Sequence, residues 1–273
     1  MKILFTPTEL AETLTTDSLV PIRALMDDPV SKAADTRSHF VIPNSVDFDL
    51  DEEGSDHNAH YPHTLPSIEA LSAYLARSGI TPNSRVVVYD TRGMYCAPRV
   101  WWMLNALGHN HAAILNGGQP AWEKEGFPIA EKRPTINARY NANFRNGWFV
   151  DADYVFSSLK TTTQIIDARS AARFNGEVPE PRVGLRSGHM PGAINIPYQQ
   201  LIQDGAFLEK AALAQVFIDA GVDLTLPIVC TCGSGITACI IGVAARLCGA
   251  KNVVVYDGSW SEWGAVSHYP VTR

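Results

Sequence analysis

The sequence predicts an α/β protein of two tandem domains, each a mostly parallel sheet flanked by helices. Three observations predict it. Short apolar runs alternate with stretches of helical period along the chain. That alternation occurs twice, in the same order and with matching residues at matching places. The 273 residues are enough for two medium domains or one large one, and a single doubly wound sheet is the alternative.

Taken in order, residues 9–14 read as a short helix and 19–23 as a first strand. Residues 46–48 form a second extended piece. The loop 49–66 after it is acidic, carries histidines and is too polar for a core. Ser67 caps a helix to about Arg77, with Ile68, Leu71, Tyr74 and Leu75 at helical spacing. Three successive valines in residues 85–90 mark a strand buried on both faces. A helix over 96–107, a strand over 113–115 and a short helix over 120–125 follow. Residues 131–147 are polar and without apolar period, which makes them the linker between a domain of residues 1–130 and one of residues 148–273. In the second half, 164–169 is a strand and its end, 193–197 a strand, and 209–220 a helix with Leu213, Val216 and Phe217 on one face. Residues 227–231 are the central strand, 236–247 its helix, and 253–256 the last strand.

The two halves align on themselves. Val88-Tyr89-Asp90 falls on Cys230-Thr231-Cys232, and Asn116-Gly117-Gly118 with Trp122 falls on Asp257-Gly258-Ser259 with Trp263. Residues 42–46 match residues 190–194 more weakly. The chemistry concentrates at Cys232-Gly233-Ser234-Gly235-Ile236-Thr237-Ala238, between the central strand and its helix. Gly233 and Gly235 allow backbone angles that other residues resist. Successive amides of such a loop, with a helix N-terminus behind them, form an anion-binding nest. A thiol held there is stabilised as the thiolate, so Cys232 reads as a nucleophile. Cys96, Cys230, Cys239 and Cys248 read as packing.

This loop, with its flanking motifs in the same order, resembles the active-site loop of the two-domain rhodanese superfamily, in the form found where 3-mercaptopyruvate is the sulfur donor. The resemblance covers nearly the whole chain. It implies two rhodanese-like domains and a sulfurtransferase that forms a Cys232 persulfide, releases pyruvate and passes sulfur to a thiol or to cyanide. Asp90 stands in the nucleophile's place in the first half, which implies a non-catalytic first domain and a catalytic second one. The segment from Asp167 through Phe174 and Glu180-Pro181-Arg182 resembles the donor-binding segment. By position, Arg173 and Arg182 carry over as binders of the donor's carboxylate and carbonyl, alongside Gly233, Gly235, Ile236 and Thr237. Arginine suits that task because its planar fork matches a carboxylate. Arg169 reads as a structural partner of Asp167, and Arg186 and His189 as scaffold.

The resemblance also implies a relay of Ser234, His63 and Asp51, with Asp49 as an alternative to Asp51. The loop departs from the family pattern: it groups His57, His60 and His63, and is one residue longer between Asp51 and His63. The irregular histidine spacing argues against a metal. No Lys or Arg lies in the cysteine loop. Thiosulfate, a dianion charged beside the transferred sulfur, profits from a cationic loop; mercaptopyruvate, charged at its far carboxylate, does not require one. The neutral loop therefore favours mercaptopyruvate, with thiosulfate as the alternative donor and a non-catalytic rhodanese-like binding module as the non-enzymatic alternative. A cysteine phosphatase needs an arginine six residues after the nucleophile, where this chain has Ala238.

Composition bounds the rest. With 46% hydrophobic and 18% charged residues and a net charge of −6, the chain reads as a soluble globular protein that binds neither nucleic acid nor membrane. No P-loop or dinucleotide fingerprint is present, so no cofactor is expected. Five cysteines without a CxxC pair point to free thiols in the cytoplasm. The expected partners are a small-molecule sulfur donor and a thiol acceptor, either a small thiol or a thioredoxin-like protein, with the chain a monomer.

Overall fold

The computed structural model of the chain describes residues 2–16, 19–28, 34–35, 38–134 and 136–273. The chain forms two compact units. The first comprises Met1–His57, Leu65–Asn146 and Asp204–Ala206; the second comprises Asn58–Thr64, Gly147–Gln203 and Phe207–Arg273.

The first unit contains β1 (Leu4–Phe5), α1 (Pro7–Thr16), β2 (Leu19–Leu25), β3 (Phe40–Val41), β4 (Val46–Asp49), α2 (Ile68–Arg77), β5 (Arg85–Asp90), α3 (Ala97–Ala106), β6 (Ala112–Leu115), α4 (Gly118–Lys124) and β7 (Ala130–Glu131). Its main sheet has the order β1-β6-β5-β2-β4, and every pairing is parallel. Parallel strands covered on both faces read as continuous apolar runs, as β5 does. Alternation still decides which side chain meets which layer. Val87 and Tyr89 of β5 pack with Leu10, Leu19, Ala113, Leu115 and Trp122 in one buried cluster. Burial of each such large side chain is worth about 1.5–3 kcal/mol. Ser67 caps α2 as expected, its hydroxyl accepting the Ala70 amide at 3.1 Å.

Among its described residues the stretch expected as a linker has no regular element after β7, yet it is tied to the first unit. The Ala138 amide donates to Ala76 O, Asn143 to Leu107 O and Arg145 to Ala106 O. Tyr140 is buried and stacks on His109 at 5.9 Å between ring centroids. A stretch without apolar period can still be fixed by backbone hydrogen bonds and one aromatic side chain, and neither registers as periodicity.

The second unit contains β8 (Phe149–Val150), α5 (Ala152–Ser158), β9 (Gln164–Asp167), α6 (Ala171–Phe174), β10 (Ile194–Asn195), a 3-10 turn at Tyr198–Leu201, β11 (Ile202–Gln203), β12 (Ala206–Phe207), α7 (Lys210–Asp219), β13 (Ile228–Thr231), α8 (Ala238–Leu247), β14 (Val253–Tyr256) and α9 (Ser259–Trp263). β12 begins at Ala206, which groups with the first unit. The main sheet has the order β10-β9-β13-β14-β8, again all parallel. It repeats the first sheet strand for strand, with β13 in the place of β5 and β9 in that of β2. Val229, Ile165, Tyr256, Trp260 and Trp263 share one buried cluster. α8 is buried from Ala238 to Ala245, as an all-round apolar helix must be. Among the described residues no helix is long and apolar enough to cross a membrane.

Candidate active site

β13 ends at Thr231, and Cys232 opens the loop to α8 at the C-terminal edge of the central strand. Ligand sites of parallel sheets form at such edges. Cys232 is 2% exposed. Its backbone is held from both sides: the amide donates to Ser259 Oγ at 3.2 Å, and the carbonyl accepts the Trp260 amide at 3.0 Å. The next carbonyl, of Gly233, accepts the Ser261 amide at 2.9 Å and the Ser261 hydroxyl at 2.6 Å. Gly235 adopts a left-handed φ of 77°. α8 begins at Ala238, two residues later than the apolar pattern suggested, because Ile236 and Thr237 belong to the loop. The loop is thus six residues, 232–237, with the positive end of α8 behind it.

The repeat shows what such a loop can hold. In the first unit β5 ends in Asp90, and the loop to α3 closes around its carboxylate. Oδ2 accepts the amides of Tyr95 (2.9 Å), Cys96 (3.0 Å) and Ala97 (2.9 Å), and Oδ1 accepts that of Arg92 (3.0 Å). Burial pushes the Asp90 carboxyl above the usual carboxylate range, and the four amides pull against it. The same strand–loop–helix frame therefore gathers backbone N–H groups onto one buried anion.

Behind the cysteine loop lies a chain of buried charges. Arg169 grips both oxygens of Asp167, donates to Gly188 O and Glu180 Oε1, and lies 4.1 Å above the Trp260 ring. Burial weighs against its charge, but Asp167 and Glu180 outweigh it and hold its pKa above the ordinary value. Glu180 is itself 1% exposed and also pairs with Arg173, at 3.2 Å to Nε and 2.5 Å to Nη2. A Cβ added to Gly233 would lie 3.2 Å from Arg173 Nη2. Arg182 donates to Ser261 Oγ at 3.4 Å, the hydroxyl that caps Gly233 O. Both arginines therefore approach Gly233, Arg173 directly and Arg182 through Ser261.

His63 takes an unusual left-handed φ of 60°, and its Nδ1 is 2.8 Å from Ser234 Oγ. Asp51 belongs to the first unit, where its carboxylate accepts the Asp27 amide at 2.6 Å and its own amide donates to Asp49 Oδ1 at 3.0 Å. Arg186 spends its guanidinium on the carbonyls of Trp263, Gly264, Val266 and Tyr269. His189 stacks on Phe174. Trp260 and Trp263 are buried in the core. Burial pushes the thiols of Cys96 and Cys230 well up, as suits packing. Cys248, expected to pack, is only half-buried. A cavity of about 490 Å³ in this unit is walled by Tyr61, Thr64, Tyr154, Asp151, Asp257 and Glu262. Its carboxylates repel an anionic donor, and Cys232 is not among its walls.

Sequence reasoning missed Glu180, Ser259 and Ser261. Glu180 sits inside a quoted motif, but nothing in its spacing shows that it bridges two arginines. The repeat of Asn116-Gly117-Gly118 on Asp257-Gly258-Ser259 is the available signal for Ser259; nothing in the sequence marks Ser261.

The sequence profile of the Rhodanese-like domain matches residues 7–125 and 152–266. The chain is 38% identical over 267 residues to a protein of Escherichia coli K12 named 3-mercaptopyruvate sulfurtransferase, covering 96% of this chain and 95% of that one. It is 40% identical over 229 residues to the thiosulfate sulfurtransferase of Rattus norvegicus, covering 81% and 76%. Among solved structures, SseA of Escherichia coli, whose description concerns the rhodanese fold and 3-mercaptopyruvate sulfotransferases, superposes with a TM-score of 0.85 at 34% identity, covering 96% of this chain and all of that one.

Proposed function

Because the chain belongs to the rhodanese family, as two tandem copies of its domain, and to the sulfurtransferases within it, we propose that it transfers sulfur from 3-mercaptopyruvate to a thiol acceptor through a persulfide on Cys232. The observation that carries this reading is Cys232 at the end of the central strand, opening a six-residue loop that contains no cation and lies against α8.

The thiolate of Cys232 attacks the sulfur of mercaptopyruvate. The S–S bond forms as the C–S bond breaks, and its electron pair leaves on carbon as the enolate of pyruvate. The enolate takes up the proton released from the substrate thiol, so pyruvate departs and Cys232 holds a persulfide anion. Ser234, whose hydroxyl lies 2.8 Å from His63 Nδ1, is the group at hand to pass that proton. Arg173 and Arg182 receive the donor's carboxylate and carbonyl, and the loop amides from Gly233 to Thr237 hold the charged sulfur, as their counterparts hold Asp90. An acceptor thiol, small or borne by a thioredoxin-like protein, then takes the outer sulfur as its own persulfide and returns the Cys232 thiolate. The first unit is the non-catalytic copy, since a carboxylate cannot carry sulfur.

Mass spectrometry after incubation with mercaptopyruvate tests this: one added sulfur atom on the peptide bearing Cys232 is expected, and none on Cys232→Ser, which should fold and release no pyruvate. Turnover by Cys232→Ser would remove the nucleophile. Thiosulfate is the second reading, favoured by the rat relative; kcat/KM for the two donors decides between them, with mercaptopyruvate expected to be preferred.

A further inference from the structure

We propose that Glu180 is a positioning residue that sets how much positive charge Arg173 shows to the donor, and with it the preference between a singly and a doubly charged donor. The inference rests on Arg173 binding donor, as the proposed function has it. Glu180 is buried and has one carboxylate for two guanidinium groups. Arg169 is already matched by Asp167, which meets it through both oxygens. The charge of Glu180 therefore falls to Arg173. Its two contacts, on Nε and Nη2, also fix the plane of the guanidinium, and Nη2 is the atom nearest the Gly233 Cβ position. Arg173 is 17% exposed, so it is open to a ligand while it remains tied to Glu180. Within the network, Asp167 offsets Arg169 and Glu180 offsets Arg173.

Removing the charge of Glu180 uncovers a full positive charge beside Gly233, the residue after Cys232, and Coulomb attraction to it is twice as large for a dianion as for a monoanion at equal distance. Thiosulfate should gain more than mercaptopyruvate. A purely structural role would lower the use of both donors together.

The test compares wild type, Glu180→Gln and Glu180→Asp as full-length chains, with cyanide as acceptor, at low and high salt, alongside thermal melting. In Glu180→Gln the ratio of kcat/KM for thiosulfate to that for mercaptopyruvate should rise roughly tenfold at low salt, and less at high salt. Glu180→Asp keeps the charge but shortens the reach. It should raise KM for both donors at least threefold, as an estimate from lost positioning, with kcat and the donor ratio held. An unmoved ratio in a folded, active Glu180→Gln overturns the inference, as does an equal fall for both donors. If Glu180→Gln does not fold, wild-type KM values in Glu180→Asp overturn the positioning role by themselves. The proposed function fails elsewhere, in a wild-type chain that takes no sulfur from mercaptopyruvate onto Cys232.

Discussion

Gly233 has two neighbours that explain it. Its carbonyl is held by Ser261, and its missing side chain leaves room for Arg173. Gly233→Ala would press a methyl group against Nη2, and the guanidinium must shift to admit it. The cost should be about 1 kcal/mol of transition-state binding. It should show as a roughly fivefold loss in kcat/KM carried mainly by KM, in steady-state assays with mercaptopyruvate. Single residues were unequally legible in the sequence. Cys232, Ser234 and His63 could be named from motifs, and the structure brings Ser234 and His63 within hydrogen-bonding distance. The left-handed backbone that aims His63 could not be read, because histidine does not advertise that conformation as glycine does. Nor could the pairing of Arg173 with Glu180, which depends on a segment folding back on itself over seven positions.

The strand–loop–helix element occurs twice, and the two copies explain each other. β5, its loop and α3 enclose the Asp90 carboxylate with four amides; β13, its loop and α8 present Cys232 as the first residue of a loop of equal length, where Asp90 is the last residue of its strand. Asp90→Asn should disrupt the first copy, because an amide nitrogen would face N–H donors with no charge to satisfy them. A loss of about 2–4 kcal/mol is expected from one or two unsatisfied buried donors, measured as a lower urea midpoint. Central elements were the most legible. The valines of β5 and the apolar run of β13 announce buried strands at this length. The two-residue strands β1 and β8 are too short to carry a period, and they are edge members whose place comes from pairing with β6 and β14. The apolar pattern places the start of α8 two residues early because Ile236 is buried although it belongs to the loop.

For the molecule as a whole, acid sensitivity follows from a buried histidine in the first unit. His109 donates from Nε2 to Ser84 O at 2.8 Å and accepts the Tyr140 hydroxyl on Nδ1 at 3.1 Å, which fixes the neutral ring. Burial lowers its pKa to about 4. Since the unfolded chain binds that proton near pH 6.5, the unfolded state takes up more protons between those values. The contribution of His109 is therefore whole above pH 6.5, lost as pH falls toward 4, and worth up to about 3 kcal/mol. Urea midpoints measured across that window should fall with pH in wild type and fall less in His109→Gln. The overall plan was legible because duplication writes the same fold twice, so each half checks the reading of the other. The course of residues 132–146 was not, since backbone hydrogen bonds leave no trace in composition.

The carboxylate enclosed at the end of β5 has a consequence for stoichiometry. An acidic side chain is already the occupant that its pocket of amides selects, so that copy has no vacancy for a charged sulfur. Under the proposed chemistry, duplication enlarged the framework without adding storage capacity. Each polypeptide carries a single sulfur equivalent at a time, and the acceptor must collect it before the next donor can be used.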